Sequence, residues 1–166
     1  KKSGAFQFRA VVGDINGNKL GSASEFIEVP NLKKGHLALS GILLMSGGGA
    51  QSDEEGVAAY AAGHPAIRHF RRGQKVSYGY KVLNATVKGK DGDPELWTQV
   101  RLFRGDKEVF RSEPRALQTT GAKDKSRLLV GGVLQLVSQF EPGDYTLQLV
   151  VWDKLAKGGE GVAAQA

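Results

Sequence analysis

The sequence contains no cysteine among its 166 residues. That excludes a disulfide framework, a thiol nucleophile and every metal site built on cysteine ligands. It leaves the compartment open. Long apolar runs are missing too: Ile42-Leu43-Leu44-Met45 is four residues and Val57–Ala62 six, against the ~20 residues that a membrane-spanning helix needs. No signal peptide is recognisable, and residue 1 is Lys, so the chain is expected to be a piece of something longer. Catalytic signatures are likewise absent. There is no Gly-x-Ser-x-Gly elbow, and Gly47-Gly48-Gly49 leads to neither Gly-Lys-Ser/Thr nor a periodic helix.

Glycine, by contrast, is abundant. Twenty-three residues is about twice the usual ~7%. With 40% hydrophobic residues the chain remains globular in composition, so the glycines are read as turns. A chain of this length buries roughly two-thirds of its unfolded surface and needs no metal to fold. The formal charge of +6 speaks to solubility and to nonspecific attraction towards acidic surfaces rather than to fold.

The dominant period is two. Val76, Tyr78, Tyr80 and Val82 alternate with Ser77, Gly79 and Lys81; the same alternation gives Leu96, Thr98, Val100, Leu102 and then Tyr145, Leu147, Leu149, Val151. Alternation of this kind is the signature of a strand with one face on a core, and the residues are the β-branched and aromatic types that strands prefer. Turns fall at Asn16-Gly17, Arg72-Gly73, Asp91-Gly92, Gly105-Asp106 and Pro142-Gly143. After residue 35, strands are predicted near 36–45, 75–85, 96–104, 107–111, 127–138, 144–153 and 161–166. Short strands at this spacing predict an all-β protein, an immunoglobulin-like antiparallel β-sandwich.

An internal repeat organises the chain. The segment Gly4-Ala5-Phe6-Gln7-Phe8-Arg9-Ala10-Val11-Val12-Gly13-Asp14 aligns with Gly143-Asp144-Tyr145-Thr146-Leu147-Gln148-Leu149-Val150-Val151-Trp152-Asp153. With one extra loop residue, Gly21–Glu25 then meets Gly161–Gln165. The chain thus begins and ends with the same strand–turn–strand unit. The expected division is residues 1–30 as the terminal hairpin of a preceding β domain, 31–35 as linker, and 36–166 as the sandwich. A single domain with two similar terminal hairpins is the alternative. Within the sandwich, 46–63 breaks the strand rhythm. It combines a glycine-rich loop, the acids Asp53-Glu54-Glu55 and the apolar stretch Val57–Ala62, which has the length of one or two helical turns. Phe140-Glu141-Pro142-Gly143-Asp144-Tyr145 suggests a tyrosine corner, in which the Tyr145 hydroxyl bonds back to the upstream backbone.

Several of these phrases resemble a known family. Gly4 to Pro30, Leu37-Ala38-Leu39-Ser40-Gly41-Ile42, Pro65-Ala66-Ile67-Arg68-His69-Phe70, Arg101-Leu102-Phe103-Arg104 and Gly143 to Ala156 resemble the C-terminal part of bacterial von Willebrand factor A-related exported proteins. The resemblance covers nearly all of the chain except 46–63. It implies a β-rich tail following an A domain in an extracytoplasmic (periplasmic or secreted) bacterial protein. The A domain is absent here, and with it the Asp-x-Ser-x-Ser metal motif, so the resemblance carries over no metal residue and no activity.

Single residues add little chemistry. His36, His64 and His69 lack diagnostic metal-ligand spacing. Asp91-Gly92-Asp93 lacks the further oxygen ligands of a calcium loop. Arg104-Gly105-Asp106 is a hairpin turn between two strands. Arg68, Arg71 and Arg72, with Lys75 and the interleaved His69 and Phe70, form the one basic cluster. No nucleic-acid recognition motif accompanies it, so a solvated turn is expected and nucleic acid is not. The function expected is non-catalytic, without cofactor. It is a structural or protein-interaction module, or accessory subunit, with protein partners reached through edge strands or through the 46–63 loop. The expected interaction residues are Val57, Tyr60, Arg68, Arg71 and Arg72. The alternative is a carbohydrate-binding or adhesive β-sandwich, with Trp97, Trp152 and Tyr60 as platform candidates, although tryptophans in a sandwich are more commonly core residues.

Overall fold

The structure is a computed structural model that describes residues 3–29, 31–32, 35–46, 68–89, 92–119, 122, 124–157 and 161–165. The expected 46–63 loop therefore lies, beyond Ser46, outside the described residues. Among those described there is no α-helix, and no helix is long and apolar enough to cross a membrane. The strands are β1 (Gly4–Gly13), β2 (Lys19–Val29), β3 (Ala38–Leu39), β4 (Leu43–Ser46), β5 (Lys75–Leu83), β6 (Leu96–Arg104), β7 (Lys107–Arg111), β8 (Arg115–Ala116), β9 (Arg127–Gln135), β10 (Thr146–Asp153) and β11 (Val162–Gln165). Every described pairing is antiparallel. The chain divides into two units, Lys1–His36 and Leu37–Ala166.

The second unit is an all-β sandwich, as the alternation predicts. One sheet runs β11-β10-β6-β7, with β8 also on β6 beside Trp97 and Thr98. In the other, β5 is central. It takes β3 at its Leu83 end and β4 at its Val76 end, and pairs with β9 along its whole length. The expected strand at 36–45 is therefore two short strands. Ser40 makes the break: its side chain accepts the Lys81 N–H at 2.8 Å while its own N–H donates to the Lys81 carbonyl at 2.9 Å.

The core lies between the sheets and is made by the predicted phase. Tyr78, Tyr80 and Val82 of β5 meet Leu96 and Val100 of β6, Leu128 and Val130 of β9, and Leu149 and Val151 of β10. Tyr80 is 2% exposed and Thr98 2%. Their hydroxyls share a hydrogen bond of 2.9 Å across the sandwich, so neither buried polar group is left unpaired. Tyr78 requires a glycine opposite it. It faces Gly132 in the β5–β9 ladder, and a Cβ there would overlap the Tyr78 ring and hydroxyl. The Tyr78 hydroxyl accepts a bond from Arg115 Nη2 at 3.3 Å.

The first unit is the hairpin β1–β2, a two-stranded sheet. Its turn is built by Asp14. The Oδ1 atom accepts the N–H groups of Asn16 at 2.9 Å and Asn18 at 2.8 Å, and Oδ2 accepts Asn18 Nδ2 at 2.9 Å. Those bonds, led by the Asn18 side chain, hold the Asp14 carboxyl below its ordinary value. Gly17, at φ +83°, supplies the left-handed residue that the turn needs.

Burial raises the Tyr80 phenol to about 12 from an ordinary 10; the neighbouring Tyr78 adds to this, while the Thr98 bond and Arg115 oppose it. A raised phenol favours the neutral form in the fold. This contribution is complete below pH 10, the unfolded value, and is lost as pH climbs to about 12. Tyr80→Phe is expected to cost about 1–2 kcal/mol at neutral pH, because Thr98 loses its buried partner. The same variant should lose less stability than wild type between pH 10 and 12. Urea unfolding at several pH values checks both.

Candidate functional site

Three surfaces carry features that the core does not require. The first is the hairpin. Every residue of β1 and β2 is exposed. The register pairs Gly4 with Val29, Phe6 with Ile27, Phe8 with Glu25, Ala10 with Ala23 and Val12 with Gly21. Directly opposed residues share a face, so Phe6, Phe8, Ala10, Val12, Ala23, Ile27 and Val29 lie together with Glu25 as their one charge. The opposite face carries Gln7, Arg9, Ser22, Ser24 and Glu28, along with Val11 and Phe26.

The repeat identifies the apolar face. Both copies are strands, β1 and β10, each antiparallel to the strand after its turn. The counterparts of Phe8, Ala10 and Val12 are Leu147, Leu149 and Val151, which point into the sandwich core. Leu149 and Val151 are fully buried, whereas Phe8 is 59% and Val12 62% exposed. The registers differ by two residues. Ala10 faces Ala23, but Leu149 faces Gln165, the counterpart of Glu25. A shift of two leaves every side chain on its original face. Asp14 and Asp153 also keep related roles. Asp153 accepts the N–H groups of Thr86 at 2.6 Å and Leu155 at 3.0 Å.

The second surface is the outer face of the β11-β10-β6-β7 sheet. Trp97 and Trp152 are direct cross-strand partners. Trp97 is 40% exposed, and Lys154 Nζ lies 5.7 Å from its ring centroid, within cation–π range. The tryptophans are therefore outside the core rather than in it. The inward phase is set by Leu96, Thr98, Leu149 and Val151, and positions 97 and 152 fall out of that phase. A depression of about 490 Å³ beside Trp97 is lined by Lys88, Asp93, Glu95 and Thr119 among others. Its wall is tied down by the Asp93–Lys125 ion pair at 3.0 Å and by the Thr119 hydroxyl, which donates to the Pro94 carbonyl at 2.7 Å.

The third is a cleft of about 890 Å³ at one end of the sandwich. Its floor includes Ile42, Leu44, Leu134 and Leu147, and its rim Arg68, Arg72 and Asp144. Arg71 does not line it. The Arg71 N–H donates to Gln74 Oε1 at 2.9 Å, and its carbonyl accepts the Gln74 N–H at 3.1 Å. The basic cluster is thus a turn leading into β5, with all three arginines exposed. Val57 and Tyr60, also expected to interact, lie outside the described residues, as does His64. Among the described residues no group of three His, Cys, Asp or Glu is placed to hold a metal ion.

Beside this cleft stands the tyrosine corner. The Tyr145 hydroxyl donates to the Glu141 carbonyl at 2.7 Å, and its ring meets Phe140 edge-on at 5.9 Å. An ion pair between Arg104 and Glu141 closes the same corner. Arg115 and Gly132 are structural residues that the sequence reading missed. An arginine after Glu-Pro carries no period, but a Gly-Gly pair inside an alternating run does signal a close approach. Protein-family models, curated proteins and solved structures were compared with the chain, and none matches.

Tyr145→Phe is expected to destabilise by about 1 kcal/mol through one lost net hydrogen bond. Tyr145→Ala is expected to cost ~3 kcal/mol or more through the cavity it leaves. Thermal and urea unfolding of the two variants separate the hydroxyl from the ring. No loss in Tyr145→Phe would remove the corner from the account.

Proposed function

We propose that the chain is a non-catalytic protein-interaction module of an exported bacterial protein or a larger complex, and that the hairpin β1–β2 is its principal contact. The observation that carries this is the repeat. The same apolar face is covered in β10 and uncovered in β1. An isolated two-stranded ribbon is marginal in water, and a face of this kind signals an interaction site. We further read the sandwich as immunoglobulin-like. The order β11-β10-β6-β7 opposite a sheet centred on β5, with the Tyr145 corner before β10, supports that assignment. Placement outside the cytoplasm, and descent from the tail of a von Willebrand factor A-related protein, rest on the sequence resemblance alone. A partner that supplies the missing inner face meets the same physical need whether it precedes the hairpin in a longer chain or belongs to another molecule.

Deleting residues 1–36 is expected to leave cooperative unfolding of Leu37–Ala166, whose core is its own, and to abolish association. Calorimetry and sedimentation of the shortened chain check this. A shortened chain that associates like the full one would remove the hairpin from the function.

A second reading has its own support. The Trp97–Trp152 pair, with acids and a lysine in the adjoining depression, has the composition of a carbohydrate platform: an aromatic surface beside hydrogen-bonding groups. If it binds glycan, soluble polysaccharides should shift the tryptophan fluorescence of the full chain, and Trp97→Ala should abolish the shift while leaving the Tm within a few degrees. No shift with β-glucan, chitin or peptidoglycan fragments would end that reading.

A further inference from the structure

The layout of the hairpin's apolar face points to its occupant. Along the ladder the bulky groups gather at one end, on the rungs Phe6/Ile27 and Phe8/Glu25; the small ones gather at the other, on Ala10/Ala23 and Val12/Gly21. A second face of the same kind, turned end for end, sets large against small. A two-fold axis passing between the rungs Phe8/Glu25 and Ala10/Ala23 places Phe8 of one copy over Ala10 of the other. It also places Phe6 over Val12 and Ile27 over Gly21. Interdigitation of this kind is how facing sheets reach interior packing density. A self-complementary patch on a two-fold axis is also the commonest route to a closed dimer.

Area and charge agree with this arrangement. Phe6 is 45% exposed, Phe8 59%, Val12 62% and Ile27 45%. With side chains of this size the face offers on the order of 500 Å² per copy, so a pair buries about 1,000 Å², the lower bound for a specific interface. Glu25 is the single charge on the face. It belongs to one of only two strands, each of them an edge, so its carboxylate lies at the ribbon margin over Ala23 of the other copy and stays in water.

We propose that the chain dimerises through this face, two β1–β2 hairpins stacking as a four-stranded sandwich between copies. The proposal rests on the reading of the hairpin as an interaction surface and names a second copy as the partner.

The test is sedimentation equilibrium of the full chain from low to high micromolar concentration. A monomer–dimer equilibrium is expected. Phe8→Glu should weaken it by at least about a hundredfold, as loss of a central aromatic anchor does. Ala10→Phe should weaken it strongly by filling the space that receives Phe8. Phe26→Ser, on the opposite face, should leave it unchanged. Emission from Trp97 and Trp152, both in the sandwich, reports that the rest of each variant is folded. A dimer weakened equally by Phe8→Glu and Phe26→Ser would overturn the proposed face. A chain monomeric throughout would overturn the proposal as well, and hydrogen exchange then tells which premise failed. Fast exchange in β1 and β2 would leave the interaction reading standing with a different protein as partner. Protected amides in β1 and β2 of a monomer would overturn both.

Discussion

An apolar sheet face has to be covered, and in Leu37–Ala166 the cover is organised around one row of side chains. Val76, Tyr78, Tyr80 and Val82 project from the central strand β5, and nothing in that row is more than 4% exposed. Two of the four are tyrosines, each carrying a hydroxyl into the interior. The arrangement holds because each hydroxyl finds a partner on the other sheet: Thr98 of β6 for Tyr80 and Arg115 of β8 for Tyr78. These bonds fix which strand of one sheet lies over which strand of the other. Burial alone, being non-directional, does not. The glycine at 132 follows from the same row, because the Tyr78 ring occupies the volume that a side chain there would need.

The same constraint explains why the two copies of the repeat have different environments. In β10 the inward residues Leu147, Leu149 and Val151 have β6 beside them, Leu149 and Val151 also have β11 on the other side, and all three meet the opposing sheet across the core. In β1 the corresponding Phe8, Ala10 and Val12 have β2 beside them and are exposed. Residue size has changed with the environment. Leu149 corresponds to Ala10, and Leu147 to the larger Phe8. A volume redistributed along the strand in this way suits a face that packs against a different partner.

Strand positions were legible because the period of two is strong in β5, β6 and β10, where the buried phase runs through four residues or more. The inward set followed directly. The outward set followed as well, although its meaning for Trp97 and Trp152 was hidden by the general tendency of tryptophan to be buried. Position in the alternation outweighs residue type here, because both strands have their inner face filled by the residues on either side. Arg115–Ala116 was not legible: two residues carry no period, and an arginine after Pro114 looks solvated from sequence. Its role comes from the tertiary fold, which brings β8 alongside Trp97 and Thr98 and lets the guanidinium reach the Tyr78 hydroxyl. The broken strand at Ala38–Leu39 and Leu43–Ser46 was read as continuous because its apolar residues run on; the interruption lies in the Ser40 bonds to Lys81.

The basic cluster illustrates a different limit. Arg68, Arg71 and Arg72 are adjacent in sequence, and adjacency invites a single function. The turn separates them: Arg71 is held through its backbone by Gln74, while Arg68 and Arg72 border the cleft above Ile42 and Leu44. Charge density along a chain is therefore a weak guide to charge density on a surface wherever a tight turn intervenes. The apolar repeat is a better guide, because a strand converts sequence spacing into a face by a fixed rule. That rule locates the hairpin's apolar residues on one side without reference to any neighbour. It is the reason we propose the uncovered side of β1–β2, rather than the most charged segment, as the place where this chain meets another surface.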